Sequence, residues 1–191
     1  MDEQAAHEGT PESSLCLLLA QADKVYDLNL MVMKKILQSQ CVPLVVTVNK
    51  PYKVLVKMYA KEGISQDSYY VIDTVTKYSG GECIPGSHVR YVNMPSNLTD
   101  LGIAITELLK QMPAGKKCIL FDSVSMLLIH SPSVTTSKFL HFLVNKLNLA
   151  DVSGIFLCVE KGLDPVIIAQ MSTFVDHIVD GDKAESFMCP L

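Results

Sequence analysis

The chain is 191 residues long, the size of one ordinary domain, with 49% hydrophobic and 19% charged residues and a mean hydropathy of +0.27. That is too apolar for a disordered protein and implies a core covered on more than one face. Lys and Arg total 16 against 20 acids, a formal net charge of −4, and Arg90 is the only arginine. Such a balance argues against nucleic acid as a partner, because forked guanidinium contacts and a basic face carry that affinity.

Met1 to Ser14, rich in Glu, Ser, Gly and Pro, reads as a disordered tail. From Leu15 to Leu191 no linker, repeat or low-complexity tract interrupts the chain, so one domain is expected. Asp23 to Gln40 puts Val25, Leu28, Val32 and Ile36 on one stripe and predicts a helix. The apolar run Leu44 to Val48 predicts a buried strand. Pro51 to Glu62 follows as a helix that opens on proline and stops at Gly63. Tyr69 to Asp73 predicts a second strand, and the alternating segment His88 to Met94 a short edge strand. Leu98 to Met112 has helical spacing, with Asn97 or Ser96 as its cap. Cys118 to Asp122 predicts the next strand, Ser133 to Leu149 a helix, and Ile155 to Glu160 another strand. Asp164 and Pro165 open a further short helix, and Phe174 to Asp180 closes the series as a strand. Nearly continuous apolar strands alternating with helices imply an α/β fold. The expected architecture is a three-layer αβα sandwich around a mainly parallel sheet of five or six strands. In such sheets ligands bind beyond the carboxyl ends of the strands.

The six cysteines, at positions 16, 41, 83, 118, 158 and 189, show no metal-ligand or CxxC spacing. Four lie inside apolar runs, where a free thiol behaves as a small hydrophobe; this fits a reducing cytoplasm. No uncharged apolar run reaches the roughly 20 residues of a membrane helix.

Three strand ends carry candidate chemistry. Asp122 ends an apolar strand in the manner of a Walker B aspartate and is a candidate for a magnesium shell; the alternative is that it caps the next turn through Val124 or Ser125. Asp73 ends the preceding strand, and on a neighbouring strand it would face Asp122 as a carboxylate pair. Asn49 and Lys50 join Val48 to the helix at Pro51, and with Lys53 they are the phosphate-binding candidates. No glycine occurs between Gly9 and Gly63, however, and Pro51 removes one donor, so no Walker A loop is present. The GxxxxG of Gly81 to Gly86 lacks the Lys-[Ser/Thr] that would follow and reads as a turn. Asp176, His177, Asp180 and Asp182 read as a solvated strand end rather than a metal site. If Met126 to Ile129 lies at the surface, it offers a contact patch to a partner or a second copy.

Together PLVVTVNKPYKVL, YYVIDTV, CILFDSVSMLLIH, SKFLHFLVNKL and FVDHIVDG resemble the RecA/KaiC-like fold, and most closely its uncharacterised, archaeal-type domains without a Walker A loop. The resemblance implies that Asp122 stands for the Walker B aspartate and that Asn49, Lys50 and Pro51 stand at the phosphate loop. It implies a catalytic glutamate after the second strand, where the chain has Asp73, and an arginine finger only if Arg90 serves. It also implies that the fourth strand, Ile155 to Glu160, lies between the first and the third. The functional expectation is a non-catalytic regulatory or scaffolding module in the cytoplasm, without cofactor, that docks a protein partner or self-associates. The alternative is a divergent ATPase gripping ATP and magnesium with Lys50, Lys53 and Asp122. Neither a nucleic acid nor a membrane is expected as a partner.

Overall fold

Continuous apolar strands leave no polar face for water, so helices must cover both sides of the sheet. The computed structural model describes residues 13–161 and 165–184 and has this arrangement. Seven strands form one all-parallel sheet: β1 (Leu15–Ala20), β2 (Val42–Thr47), β3 (Tyr70–Asp73), β4 (Val89–Tyr91), β5 (Lys117–Asp122), β6 (Ser153–Val159) and β7 (His177–Asp180). Their spatial order is β4-β3-β2-β5-β6-β1-β7. The helices are α1 (Val25–Gln38), α2 (Tyr52–Lys61), α3 (Leu98–Gln111), α4 (Val124–His130), α5 (Ser133–Leu149) and α6 (Pro165–Met171).

Successive strand residues point to opposite faces, and each face has its own core. Leu15, Leu17, Leu44, Val46, Ile119, Phe121 and Phe156 pack under α3, α4, α5 and α6. Cys16, Leu18, Val45, Leu120, Ile155 and Leu157 pack under α1 and α2. The three-layer α/β sandwich is therefore as expected, with one strand more than the upper count.

That strand is β1, and its place corrects the expected order. LCLLLA has no β-branched residue and a composition that favours helix. It is nevertheless paired on both sides, Leu17 with Phe156 of β6 and with Ile178 of β7. The Ile155 strand, β6, does not separate the Leu44 strand from the Cys118 strand; those two are direct neighbours, with Val45 level with Leu120. It separates β1 from β5 instead.

Smaller differences have local causes. Of the expected tail, residues 1–12 lie outside the described residues, as does the predicted cap Asp164. Ser14 is already buried, with its N–H donating to Ser153 Oγ at 3.3 Å and its carbonyl accepting from Gly154 at 2.9 Å. The segment after β5 forms the extra helix α4, with Val124 and Leu127 buried and Ile129 70% exposed. Asn97 caps α3 as expected, its side chain accepting from the Asp100 N–H at 3.1 Å. Phe174 to Asp176 are not strand; the last strand begins only at His177.

Candidate functional site

The carboxyl edge of the sheet holds the predicted residues, at separations the topology imposes. Thr47 at the end of β2 is level with Asp122 on one side and with Asp73 on the other. The two aspartates are thus two strand spacings apart, roughly 10 Å, with β2 between them. Their strands are not neighbours, so the condition for a carboxylate pair is not met.

Asp73 is fully buried and both its oxygens are committed. Oδ1 accepts from the N–H groups of Val75 (2.7 Å) and Thr76 (2.8 Å). Oδ2 accepts from the Tyr52 N–H at the start of α2 (2.6 Å) and from the Thr76 hydroxyl. Four donors leave it no lone pair for base chemistry, and its work is to cap α2 and its own loop.

Asp122 is equally buried but differently supplied. Oδ2 accepts from Asn29 Nδ2 of α1 at 3.0 Å, while Oδ1 has no hydrogen-bond partner among the described residues. Asn29 Oδ1 in turn accepts from the Tyr59 hydroxyl of α2 at 2.9 Å. Burial pushes the Asp122 pKa up, against the opposing pull of Lys50 and of the Asn29 hydrogen bond. The carboxylate neither caps through Val124 nor through Ser125, and its peptide bond to Ser123 is cis.

Lys50 reaches over the edge of the sheet to this carboxylate, Nζ lying 3.9 Å from Asp122 Oδ2. Thr47 holds the turn that aims it: its hydroxyl donates to the Lys50 carbonyl (2.7 Å) and accepts from the Lys50 N–H (3.0 Å). Asn49 and Lys53 are exposed. No hydrogen bond or ion pair among the described residues brings either of them to Asp122. Arg90 lies on edge strand β4, donating to the Val89 carbonyl (2.9 Å) and to Gln111 Oε1, three strands from Asp122.

β1 is the first strand in the chain, and the turn that follows it is Gln21 to Lys24; Asn49 to Pro51 follow the second strand, β2. The turn after β1 has no glycine and is closed by the Gln21 carbonyl accepting from the Lys24 N–H at 3.0 Å. Asp182 accepts from Lys24 Nζ (2.6 Å) and Gln21 Nε2 (2.9 Å), and the bond to Lys24 holds its pKa below the ordinary value. Gly181 seals the same end: a Cβ there would stand 2.7 Å from the Leu19 carbonyl oxygen and 2.7 Å from the Leu28 side chain.

A nucleotide with magnesium does not fit these residues. A phosphate needs free N–H groups around a curled loop, and the turn after β1 is short and packed under residues 181–184. A magnesium ion needs oxygen ligands beyond one carboxylate, and beside Asp122 stands an ammonium group. No cluster of three or more His, Cys, Asp or Glu suited to a metal occurs among the described residues. The sequence reading missed Asn29, Tyr59, Gln21 and Lys24, and it read Asp182 as solvated without its partners Lys24 and Gln21. The available signal was Asn29, an amide on the apolar stripe of α1 beside Leu28 and Val32.

The solved structures similar to this chain share its fold. One is an uncharacterized protein, PH0321 from Pyrococcus horikoshii, in complex with an unknown peptide: TM-score 0.63 and 14% identity over 87% of this chain and 76% of that one. Another is the KaiC-like protein PH0186 from the hyperthermophilic archaeon Pyrococcus horikoshii OT3: TM-score 0.61 and 16% identity over 90% and 73%. The fold is RecA/KaiC-like. No curated protein matches the chain. A family of unknown function (DUF7504) matches residues 39–180, from the approach to β2 to the end of β7. The chain is a member of that family, built on a KaiC-like fold.

Proposed function

We propose that this protein is a non-catalytic KaiC-like module that works by binding another protein. The observation that carries this reading is the turn after β1, closed by the chain's own Asp182 and Gly181 at the sheet edge where ligands of such folds bind. Lys50 supports it, supplying from within the chain the positive charge that Asp122 would otherwise take from a metal. A protein of the same fold crystallised with a peptide is consistent with a binding role, as is the exposure of Ile129 at the end of α4. No helix of the described residues is long and apolar enough to cross a membrane.

The test is nucleotide thermal shift together with turnover. Millimolar ATP with magnesium is expected to leave the melting temperature unchanged, because only a ligand that binds the folded state raises it. Phosphate release is expected to equal that of Asp122→Ala. A raised melting temperature, or turnover abolished in Asp122→Ala and in Lys50→Met, would establish the divergent ATPase instead.

A further inference from the structure

Away from the sheet edge, α3 and α5 leave an open groove of about 630 Å³ between them. Its floor is apolar and built by a glycine. A Cβ at Gly102 would stand 3.4 Å from the Phe142 ring and 3.7 Å from the Phe139 ring, so the missing side chain leaves a hollow against two phenyl groups. Glycine in a helix interior is less stable than alanine, and here it keeps that hollow open. Ile103 and Phe142, each 51% exposed, stand on the two sides.

The rim is basic. Lys110 on α3 and Lys138 and Lys146 on α5 surround the groove, with Glu107 the one acid among its lining residues. Lys146 Nζ lies 5.5 Å from the Phe142 ring centroid, and none of the three lysines has an ion-pair partner among the described residues. Three cations round an apolar slot, on a chain of net charge −4, stand out from the surface as a whole. Among the described helices acids are few, Asp27 on α1 and Asp100 and Glu107 on α3, so none of these helices offers a second copy a face with a carboxylate for each of the three lysines. A slot between two helices, of which α5 runs 17 residues or roughly 25 Å, suits a third helix of three to four turns.

We infer that the α3–α5 groove binds an acidic amphipathic helix of a different protein, its apolar stripe seated on Phe142, Ile103 and Gly102 and its carboxylates on Lys110, Lys138 and Lys146. This rests on the reading of the protein as a binding module and names the site and the partner's chemistry. The experiment is fluorescence anisotropy of the full chain with a labelled peptide of about four helical turns, Leu and Phe on one stripe and Glu elsewhere. A matched peptide with Lys for Glu is the control. The acidic peptide is expected to bind at least about tenfold more tightly than the control. Phe142→Ala and Lys138→Glu, both at exposed positions, should each weaken it by about tenfold or more while the melting temperature stays unchanged. Equal binding of both peptides, no binding of the acidic one, or binding that survives both substitutions overturns the inference. So does a single-stranded oligonucleotide that binds with the same sensitivity to both substitutions. Nucleotide turnover would overturn the non-catalytic reading and leave this result standing; a failed peptide titration with an unchanged nucleotide melting curve would remove only the groove.

Discussion

Asp122 is an acid that the fold holds at a cost. Its burial raises its pKa, so between the ordinary carboxylate value and the raised one the folded state binds more protons than the unfolded state. Stability therefore falls as pH rises through that window, and the loss persists above it. Asp122→Asn, which keeps the shape without the charge, is expected to melt no lower than the parent at pH 7 and to lose any advantage as pH is brought below 4. Thermal melts across that range check it; a clear destabilisation at pH 7 would mean the ion pair with Lys50 outweighs burial. Lys50→Met should act the other way, stranding the carboxylate for a loss of about 1–3 kcal/mol at neutral pH. The two buried tyrosines beside this network make a second contrast. The Tyr59 hydroxyl donates to Asn29, whereas the Tyr69 hydroxyl has no hydrogen-bond partner among the described residues, although the rings meet edge to face at 5.1 Å. Tyr59→Phe should cost about 1–2 kcal/mol, and Tyr69→Phe should be neutral or stabilising. Denaturant titration of both variants decides this.

Between elements, the decisive contacts are made at strand ends. Asp73 ties the end of β3 to the first turn of α2 and to its own loop through four hydrogen bonds. Asp73→Ala strands several buried donors and is expected to cost about 2–4 kcal/mol, far more than Asp122→Asn. If the two aspartates proved equal in denaturant titrations, the division of one as a structural cap and the other as a tolerated charge would fail. Gly181, just after β7, is the corresponding point at the end of β1. A methyl group there collides with the Leu19 carbonyl, a backbone atom that cannot swing aside, so Gly181→Ala should lift residues 181–184 from the end of the strand. A loss of about 1–3 kcal/mol is expected, with faster amide exchange at residues 180–184 as its local signature.

At the scale of the whole molecule, strand order decides which residues can act together. The sheet is parallel throughout, and every carboxyl end lies on one edge, where nucleotide-binding relatives of such folds do their chemistry. Here that edge is filled from within: Lys50 stands against Asp122, Asp182 against Lys24 and Gln21, and residues 181–184 over β1. Treatment with a metal chelator should consequently leave the melting curve of the whole protein unchanged. A fall in melting temperature that added magnesium restores would show that a cation, not Lys50, balances Asp122.

The amino-acid pattern alone determined the layers. Runs such as LVVTV and CILFD are apolar at every residue, and only a sheet covered on both faces can hide them; the 3.6-residue stripes of α1, α3 and α5 supply the covers. It also determined the missing Walker A loop, since glycine is either present or absent. Asp122 and Lys50 could be singled out because each closes or follows a recognisable strand. Local pattern could not decide neighbourhood. LCLLLA has helix-favouring composition and becomes a strand because β6 and β7 pair with it; the tertiary structure alone placed it, brought Asp182 to the Gln21–Lys24 turn and set β2 between Asp73 and Asp122. The physical reason is that each crossover helix can return its strand to either side of a growing sheet. The choice is made by contacts between segments more than a hundred residues apart, such as Leu15 with Gly154 and Cys16 with His177, which no window of sequence contains.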